Sequence, residues 1–278
     1  MGTIGIAIPE SVWSARSEQF YTQVLQGLED TVVPLGHTVL SRVCRSVDEE
    51  IEALRRWAER PLADVVILKD LHVDDPRPSA ARELDLPFIV IGDERQRRIS
   101  SSVTMDNGGT MRRLLQDLRE LGHEAIAHVG GPSNLLHSAW RREAYEAFVR
   151  EHGMAMLAAD GDYGAASGAE CVRTLLSGSL RPTVIVHDND AMAIAGCDRA
   201  VAMGVAVPQD VSIVAWDDSP ACQTHDPPLA VIDRQPHQLG VDLGRAATSL
   251  LADPARPVHL TQDVPRLLPR GTVAPRRG

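Results

Sequence analysis

Short apolar runs alternate with amphipathic stretches along almost the whole chain, and few architectures accept that order. The runs at 3–8, 37–41, 64–68, 88–91, 125–129, 183–186 and 212–215 are strand-length, apolar and mostly bounded by Gly, Pro or charged residues. Between the first two, Phe20, Val24, Leu28 and Val32 recur every four residues ahead of Gly36, as one face of a helix requires. Met111, Leu114, Leu115, Leu118 and Leu121 make a second stripe that ends at Gly122. Met192, Ala195, Ala200 and Met203 make a third before Gly204, and Leu239, Leu243, Ala246, Ala247 and Leu250 a fourth before Pro254. Neighbouring parallel strands need a crossover of helix length, so this repetition predicts an α/β fold with parallel sheets covered on both faces. There are too many elements for one open sheet, and 278 residues suffice for two lobes.

Composition removes several function classes. Hydrophobic residues make up 44% and charged residues 24%, enough apolar surface for ordinary globular cores, and no run approaches the 18 apolar residues of a membrane-spanning helix. The net charge is −10 and the arginines occur in pairs rather than in a dense basic block, so this chain alone is not expected to grip nucleic acid. Lys69 is the only lysine. Cys44, Cys171, Cys197 and Cys222 are scattered without CxxC spacing, which indicates neither a zinc site nor a disulfide framework. The opening MGTIGIAIPE lacks a positive n-region and meets Pro9 early, so a cytoplasmic location is expected.

Signatures of catalysis are missing. There is no GxSxG elbow, no GxxxxGK[ST] loop and no GxGxxG. His123, Glu124 and His128 are spaced one residue too far for two ligands on one helix face, and the segment reads as a turn entering a strand. Asp188-Asn189-Asp190 runs into Ala191-Met192-Ala193 without the glycine and returning carboxylates of a calcium loop. No catalytic residue, metal site or cofactor is therefore assigned.

In open parallel sheets ligands sit beyond the carboxyl ends of the strands. The residues found there are Glu10, Lys69-Asp70, Asp93, Asp106-Asn107, Asp188-Asn189-Asp190 and Asp217-Asp218. Carboxylates and amides suit multidentate bonding to a hydroxyl-rich ligand, yet Asp and Asn also cap helices that follow strands. Capping is the favoured reading for Asp106, Asp190 and Asp218; for Asn189 and Asp217 both readings stay open.

The stretch Val207-Pro208-Gln209-Asp210-Val211-Ser212 through Trp216-Asp217-Asp218 strongly resembles the VPxDVSxxxxDD segment of the lactose-repressor/galactose-repressor family of bacterial transcription regulators. Asn189-Asp190-Ala191-Met192-Ala193 resembles that family's NDxMA turn. Pro227-Pro228-Leu229 with Arg234-Gln235-Pro236 resembles its PPL…QP crossover. Leu121-Gly122-His123, Gly131-Pro132 and Leu268-Pro269-Arg270-Gly271-Thr272 add the LGH, GGP and closing segments. The pieces occur in order over nearly the whole chain.

The resemblance implies a periplasmic-binding-protein-like type I fold: two Rossmann-like lobes with parallel sheets, joined by three crossovers. The N-terminal lobe would take residues 3–104 and 235–263, and the C-terminal lobe 105–234 and 264–274. The chain would then be the effector-binding and dimerisation core of a regulator, a homodimer holding a sugar-like small molecule. It would meet operator DNA only through an N-terminal helix-turn-helix preceding Thr3, and would have no membrane partner. The alternative is the solute-binding receptor of a sugar transporter, against which the missing signal peptide and the VPxDVS and LPRGT segments stand.

Residue by residue, the resemblance places nine side chains at the ligand. Phe20 and Tyr21 match an aromatic pair opening the first helix, Lys69 and Asp93 match positions after two strands, and Met105 matches an apolar position at the first crossover. Tyr163 matches an aromatic that stacks on a sugar ring, Asn189 and Asp217 match the amide and carboxylate that bind hydroxyls, and Arg141 matches the second of two arginines after GGP, the first of which grips hydroxyls or carboxylates. Glu10, Val12 and Trp13 fall in a segment five residues longer than the family's. One position departs: two residues before Arg141, where the family often carries another arginine, stands Ala139. A methyl group cannot replace a bidentate guanidinium, whose charge-assisted hydrogen bond is worth about 1.5–3 kcal/mol. Either Lys69, Trp140 or Arg142 compensates, or the ligand is neutral or cationic and is held by Asp93, Asp188 and Asp217.

Overall fold

A computed structural model describes residues 1–10, 19–93 and 101–276; Val12 and Trp13 lie outside the described residues. In chain order the strands are β1 (Thr3–Pro9), β2 (Thr38–Cys44), β3 (Val65–Leu68), β4 (Phe88–Gly92), β5 (Ser101–Thr104) and β6 (Ile126–Gly130). There follow β7 (Leu157–Asp160), β8 (Val184–His187), β9 (Ser212–Ala215), β10 (Ala230–Ile232), β11 (His259–Thr261) and β12 (Leu267–Leu268). The helices are α1 (Gln19–Val32), α2 (Val47–Glu59), α3 (Arg77–Glu83), α4 (Asn107–Glu120) and α5 (Leu136–Glu151). After them come α6 (Ala165–Ser177), α7 (Asp190–Ala202), α8 (Pro220–Thr224) and α9 (Pro236–Ala252).

Met1–Asp106 and Gln235–Asp263 form one compact unit, and Asn107–Arg234 with Val264–Gly278 the other, so the chain passes between them three times. Among the described residues each unit has a six-stranded sheet. In the first unit the order is β11-β5-β4-β3-β1-β2, parallel throughout. In the second it is β12-β10-β9-β8-β6-β7, parallel except for β12 against β10. Both sheets reverse their winding beside the first strand of the unit, at β1/β3 and at β6/β8, and such switch points are where α/β sheets open a crevice for ligands.

The first unit buries Ile4, Ile6, Val65, Ile67 and Val103 of the sheet against Val24, Leu28 and Val32 of α1 and Leu239, Leu243 and Leu250 of α9. Each such side chain contributes about 1.5–3 kcal/mol relative to leaving it in water. On α2, Ser46 caps the first turn by accepting the Glu49 amide at 3.2 Å, which stabilises that end by about 1 kcal/mol. Helices α1 and α9 touch backbone to backbone: a Cβ on Gly240 would lie 2.1 Å from the Val24 carbonyl oxygen, and one on Gly27 2.1 Å from that of His237. Gly240→Ala is expected to lower the unfolding free energy by about 1–3 kcal/mol, the usual cost of overpacking. An unchanged urea midpoint would show that the two helices can separate freely.

The second unit has a core on each side of its sheet, one with α6 and α7 and one with α4 and α5. Here the structure corrects the stripe expected on α7. Met203 is 36% exposed, and the buried face runs through Met192, Ala193, Gly196, Cys197 and Ala200. Only that set keeps to the 3.6-residue period, whereas the expected set drifts round the helix. Strand β2 starts one residue later than expected and continues to Cys44, because it pairs with β1 residue for residue up to Pro9.

Five strands have no counterpart among the expected ones: β5, β7, β10, β11 and β12. Strand β5 reads Ser-Ser-Val-Thr and is nonetheless buried, with Ser102 Oγ 3.0 Å from His259 Nδ1 and Ser101 Oγ accepting the Val258 amide at 3.0 Å. Strand β7 is an edge strand of alternating exposure, and β10, β11 and β12 are two or three residues long.

Candidate functional site

In the first unit, β3 delivers Lys69 to its carboxyl end, where the side chain is only 2% exposed. Its ammonium lies 2.8 Å from Asp70 Oδ2 and 4.0 Å from the centroid of the Tyr21 ring. The Tyr21 hydroxyl donates to Asp70 Oδ1 at 2.7 Å, so one carboxylate holds both groups. Asp70 adopts a φ of +48°, a left-handed conformation that Asp tolerates better than most residues. Arg77 Nη2 fixes that turn by donating to the Asp70 carbonyl at 2.9 Å. Arg77 is itself gripped by Asp75 and Glu50 at 2.6 Å, and these partners push its guanidinium up against the penalty of burial.

Phe20 packs edge-on to Tyr21 at 5.2 Å, and both, with Met105, lie partly buried against the unit's core. Asp93 is buried at the end of β4. Glu10 lies outside this cluster of contacts and pairs with Arg45 at 3.2 Å on an exposed part of the surface.

In the second unit the carboxyl ends of β6, β8 and β9 converge on Arg141. This guanidinium, 2% exposed, donates from Nε to Asn107 Oδ1 at 2.9 Å and from Nη1 to the Asp188 carbonyl at 3.0 Å. It stacks on the Trp216 ring at 4.1 Å, and Asp188, Tyr163, Arg234 and Asp217 act on its charge. Burial pushes it below the usual arginine value.

Asp188 is fully buried. Its carboxylate takes His128 Nε2 at 2.9 Å on one oxygen and the Gly131 amide at 2.9 Å on the other. Burial alone would raise its pKa; His128, Arg141 and those hydrogen bonds outweigh burial and hold it below the ordinary carboxylate range. His187, on the strand just before it, has neither ring nitrogen at hydrogen-bonding geometry, and burial pushes its imidazole down to about 4.

Tyr163, Asn189 and Asp217 lie round this centre. The Tyr163 ring lies against Gly131, where a Cβ would be 2.3 Å from ring Cζ, so the close approach requires glycine. The Tyr163 hydroxyl is 2.8 Å from His137 Nε2 and 2.7 Å from Ser138 Oγ. Asn189 Oδ1 accepts the Met192 amide at 3.0 Å as the cap of α7, while Nδ2 donates to the Tyr163 carbonyl at 2.9 Å. A carboxamide has one further donor hydrogen and one further lone pair to offer. Asp217 accepts from Arg234 Nε at 2.8 Å and Nη2 at 2.7 Å. Burial nevertheless pushes its carboxyl up to about 6, with Arg234 offsetting only part.

Two capping expectations are corrected. The cap of α7 is Asn189, not Asp190, which is the first helical residue and accepts the Ala191 amide. Asp218 caps nothing: Arg270 holds it through both oxygens at 2.6 and 2.7 Å, and Ser219 caps α8. Sequence reasoning also missed the parts played by His128, Arg234 and Arg77, and it named Asp70 and Asn107 as strand-end residues without their partners. His128 stands inside an apolar strand, an unusual place for an imidazole without a buried partner, and that was the available signal. Arg234 meets Asp217 and Asn107 meets Arg141 across 17 and 34 residues, which no local pattern displays.

The family model described as a periplasmic binding protein-like domain matches residues 115–273. The transcriptional regulator CelR of Thermobifida fusca is 29% identical over 259 residues, covering 90% of this chain and 74% of that protein. A LacI family transcriptional regulator from Bifidobacterium animalis superposes with a TM-score of 0.90 at 28% identity, covering 98% of each chain. A CelR–cellobiose complex does so at 0.86 and 27%, covering 98% of this chain and 84% of that one. With its fold, its ordered motifs and these relatives in agreement, the chain belongs to the periplasmic binding protein-like family, as the effector domain of a LacI-family transcriptional regulator.

Proposed function

We propose that this domain binds a sugar or a related polyhydroxylated metabolite and thereby modulates operator binding by the intact regulator, as a cytoplasmic homodimer without catalytic turnover. The ligand residues in this reading are Tyr163, Asn189, Asp217 and Arg141 of the second unit and Phe20, Tyr21, Lys69, Asp93 and Met105 of the first, whose boundary at Asp106 takes in Met105. The supporting observation is the grouping of Tyr163, Asn189, Asp217 and Arg141 round a switch point of the second sheet. There an aromatic face stands beside carboxylate, amide and guanidinium groups, the combination that ring hydroxyls and a ring face require. CelR, solved with cellobiose, shows that a relative takes such a ligand. A regulatory signal needs a ligand whose affinity differs between two conformations, typically by 1–3 kcal/mol of coupling.

A thermal-shift screen with pentoses, hexoses, disaccharides, polyols and nucleosides tests the reading. A ligand at 100 times its dissociation constant adds about 2.7 kcal/mol to stability, an easily seen rise in melting temperature. Asp217→Ala is expected to abolish that rise without unfolding the chain. An undiminished shift in the variant removes Asp217 from the site, and silence across the screen removes the sugar reading.

A further inference from the structure

Asp217 and Asp218 stand side by side after β9, yet their carboxylates are held differently. Arg270 grips Asp218 through both oxygens, Nη1 on Oδ1 at 2.6 Å and Nη2 on Oδ2 at 2.7 Å, a closed fork. Arg234 meets Asp217 on one oxygen alone: Nε donates to Oδ1 at 2.8 Å, and Nη2 lies 2.7 Å from the same atom. Among the described residues no donor reaches Asp217 Oδ2, and the side chain is 18% exposed. Sheet register sets this arrangement up. Strands β9 and β10 are parallel neighbours with Ala215 opposite Val231, so Asp217 and Arg234 leave adjacent strand ends one step apart. The other charges acting on Asp217 come from Asp190 on α7 and Arg141 on α5, while Arg270 is engaged by Asp218.

We propose that Arg234 is a positioning residue of the ligand site: its one-sided grip fixes the Asp217 carboxylate and leaves Oδ2 as the acceptor for a ligand hydroxyl. The inference rests on the reading that Asp217 meets the ligand, and adds how that carboxylate is kept ready. An ionised carboxylate only accepts hydrogen bonds, whereas a protonated one turns an oxygen into a donor. Burial favours the protonated form and pushes Asp217 up to about 6, and Arg234 is the largest influence in the opposite direction. Without Arg234 the carboxyl would keep its proton through neutral pH and would lose the contact that fixes its orientation. Arg234 thereby ties ligand affinity to pH, with the acceptor present above about pH 6 and lost below it.

NMR of the carboxyl carbons in the whole, ligand-free chain tests the hold, with the Asp217 signal identified by its absence from Asp217→Asn. That signal should titrate at about pH 6 in the native chain. In Arg234→Gln its midpoint should move to about pH 7 or above, because the adjacent guanidinium is what holds it down. Arg234→Lys keeps the charge and should restore a midpoint close to the native one, and Arg270→Gln should leave Asp217 unmoved. In the native chain the Arg234 Nε–H resonance should shift with the same midpoint as Asp217, a readout that needs no variant to fold. Calorimetry with ribose and cellobiose as probes reads the consequence. Native affinity should be about tenfold weaker at pH 5 than at pH 7, and the loss in Arg234→Gln should shrink as pH rises. An Asp217 midpoint that ignores Arg234→Gln, or an affinity loss of the same size at every pH, overturns the proposal. A moved midpoint with neither probe bound at any pH overturns the sugar reading and keeps the hold of Arg234 on Asp217.

Discussion

Asp188→Ala is expected to lower the unfolding free energy by about 3–5 kcal/mol, the largest effect of any single substitution considered for this chain. The carboxylate has no exposure of its own and receives His128, the Gly131 amide and the nearby Arg141 guanidinium. Removing it leaves a buried guanidinium without its counter-charge and an amide and an imidazole without an acceptor. A well-packed apolar replacement of the whole group would cost far less, since the damage comes from the partners left behind. Chemical denaturation of Asp188→Ala beside Asp188→Asn measures this. The asparagine retains one acceptor oxygen and should lose less. A loss below about 1 kcal/mol in the alanine variant would mean that water reaches Arg141 and screens it.

A second large effect should appear in the pH dependence of stability. His187 titrates near 6.5 when unfolded and about 4 when folded. Between those values the unfolded chain carries a proton that the native chain does not, so this group removes stability as pH falls, about 2 kcal/mol by pH 5. Asp217 works in the opposite sense. Its folded pKa of about 6 lies above the unfolded 3.8, so the native chain holds the extra proton in that window. It therefore adds about 1 kcal/mol on the same acidification.

Together these two groups leave a net loss of about 1 kcal/mol between pH 7 and pH 5, and His123, whose imidazole burial also pushes down, adds to the loss in the same sense. Relative to the native protein over that interval, His187→Leu is expected to keep about 2 kcal/mol more stability and Asp217→Asn to lose about 1 kcal/mol more. Urea unfolding at the two pH values reads both slopes. Equal slopes in the two variants would show that neither group is perturbed by its surroundings.

These expectations rest on features of different legibility. The fold class follows from patterning: strand-length apolar runs separated by helical stripes admit parallel sheets with covered faces and little else. Asn189 shows where a motif stops being informative. Its identity marks a ligand position and a helix cap equally well, and in the structure its amide caps α7 while also bonding Tyr163. Ala139 was legible as a departure, but a missing side chain has meaning only once its surroundings show whether the space is filled or open.

The alternation of apolar strands with helices, seven of the strands, the burial of α1, α4 and α9 along their stripes, and the placing of polar residues at strand ends are properties of periodicity, so a linear chain displays them. The partners of the polar residues are not. Asp188 with His128, Asp217 with Arg234, Asp218 with Arg270 and Lys69 with Tyr21 each join segments separated by 17 to 60 residues. A pairing at such separations is set by sheet order and by how closely glycine lets two backbones approach. Whether a carboxylate there is an open ligand contact or a satisfied buried charge depends on its distance to a cation, and only the folded chain supplies that distance.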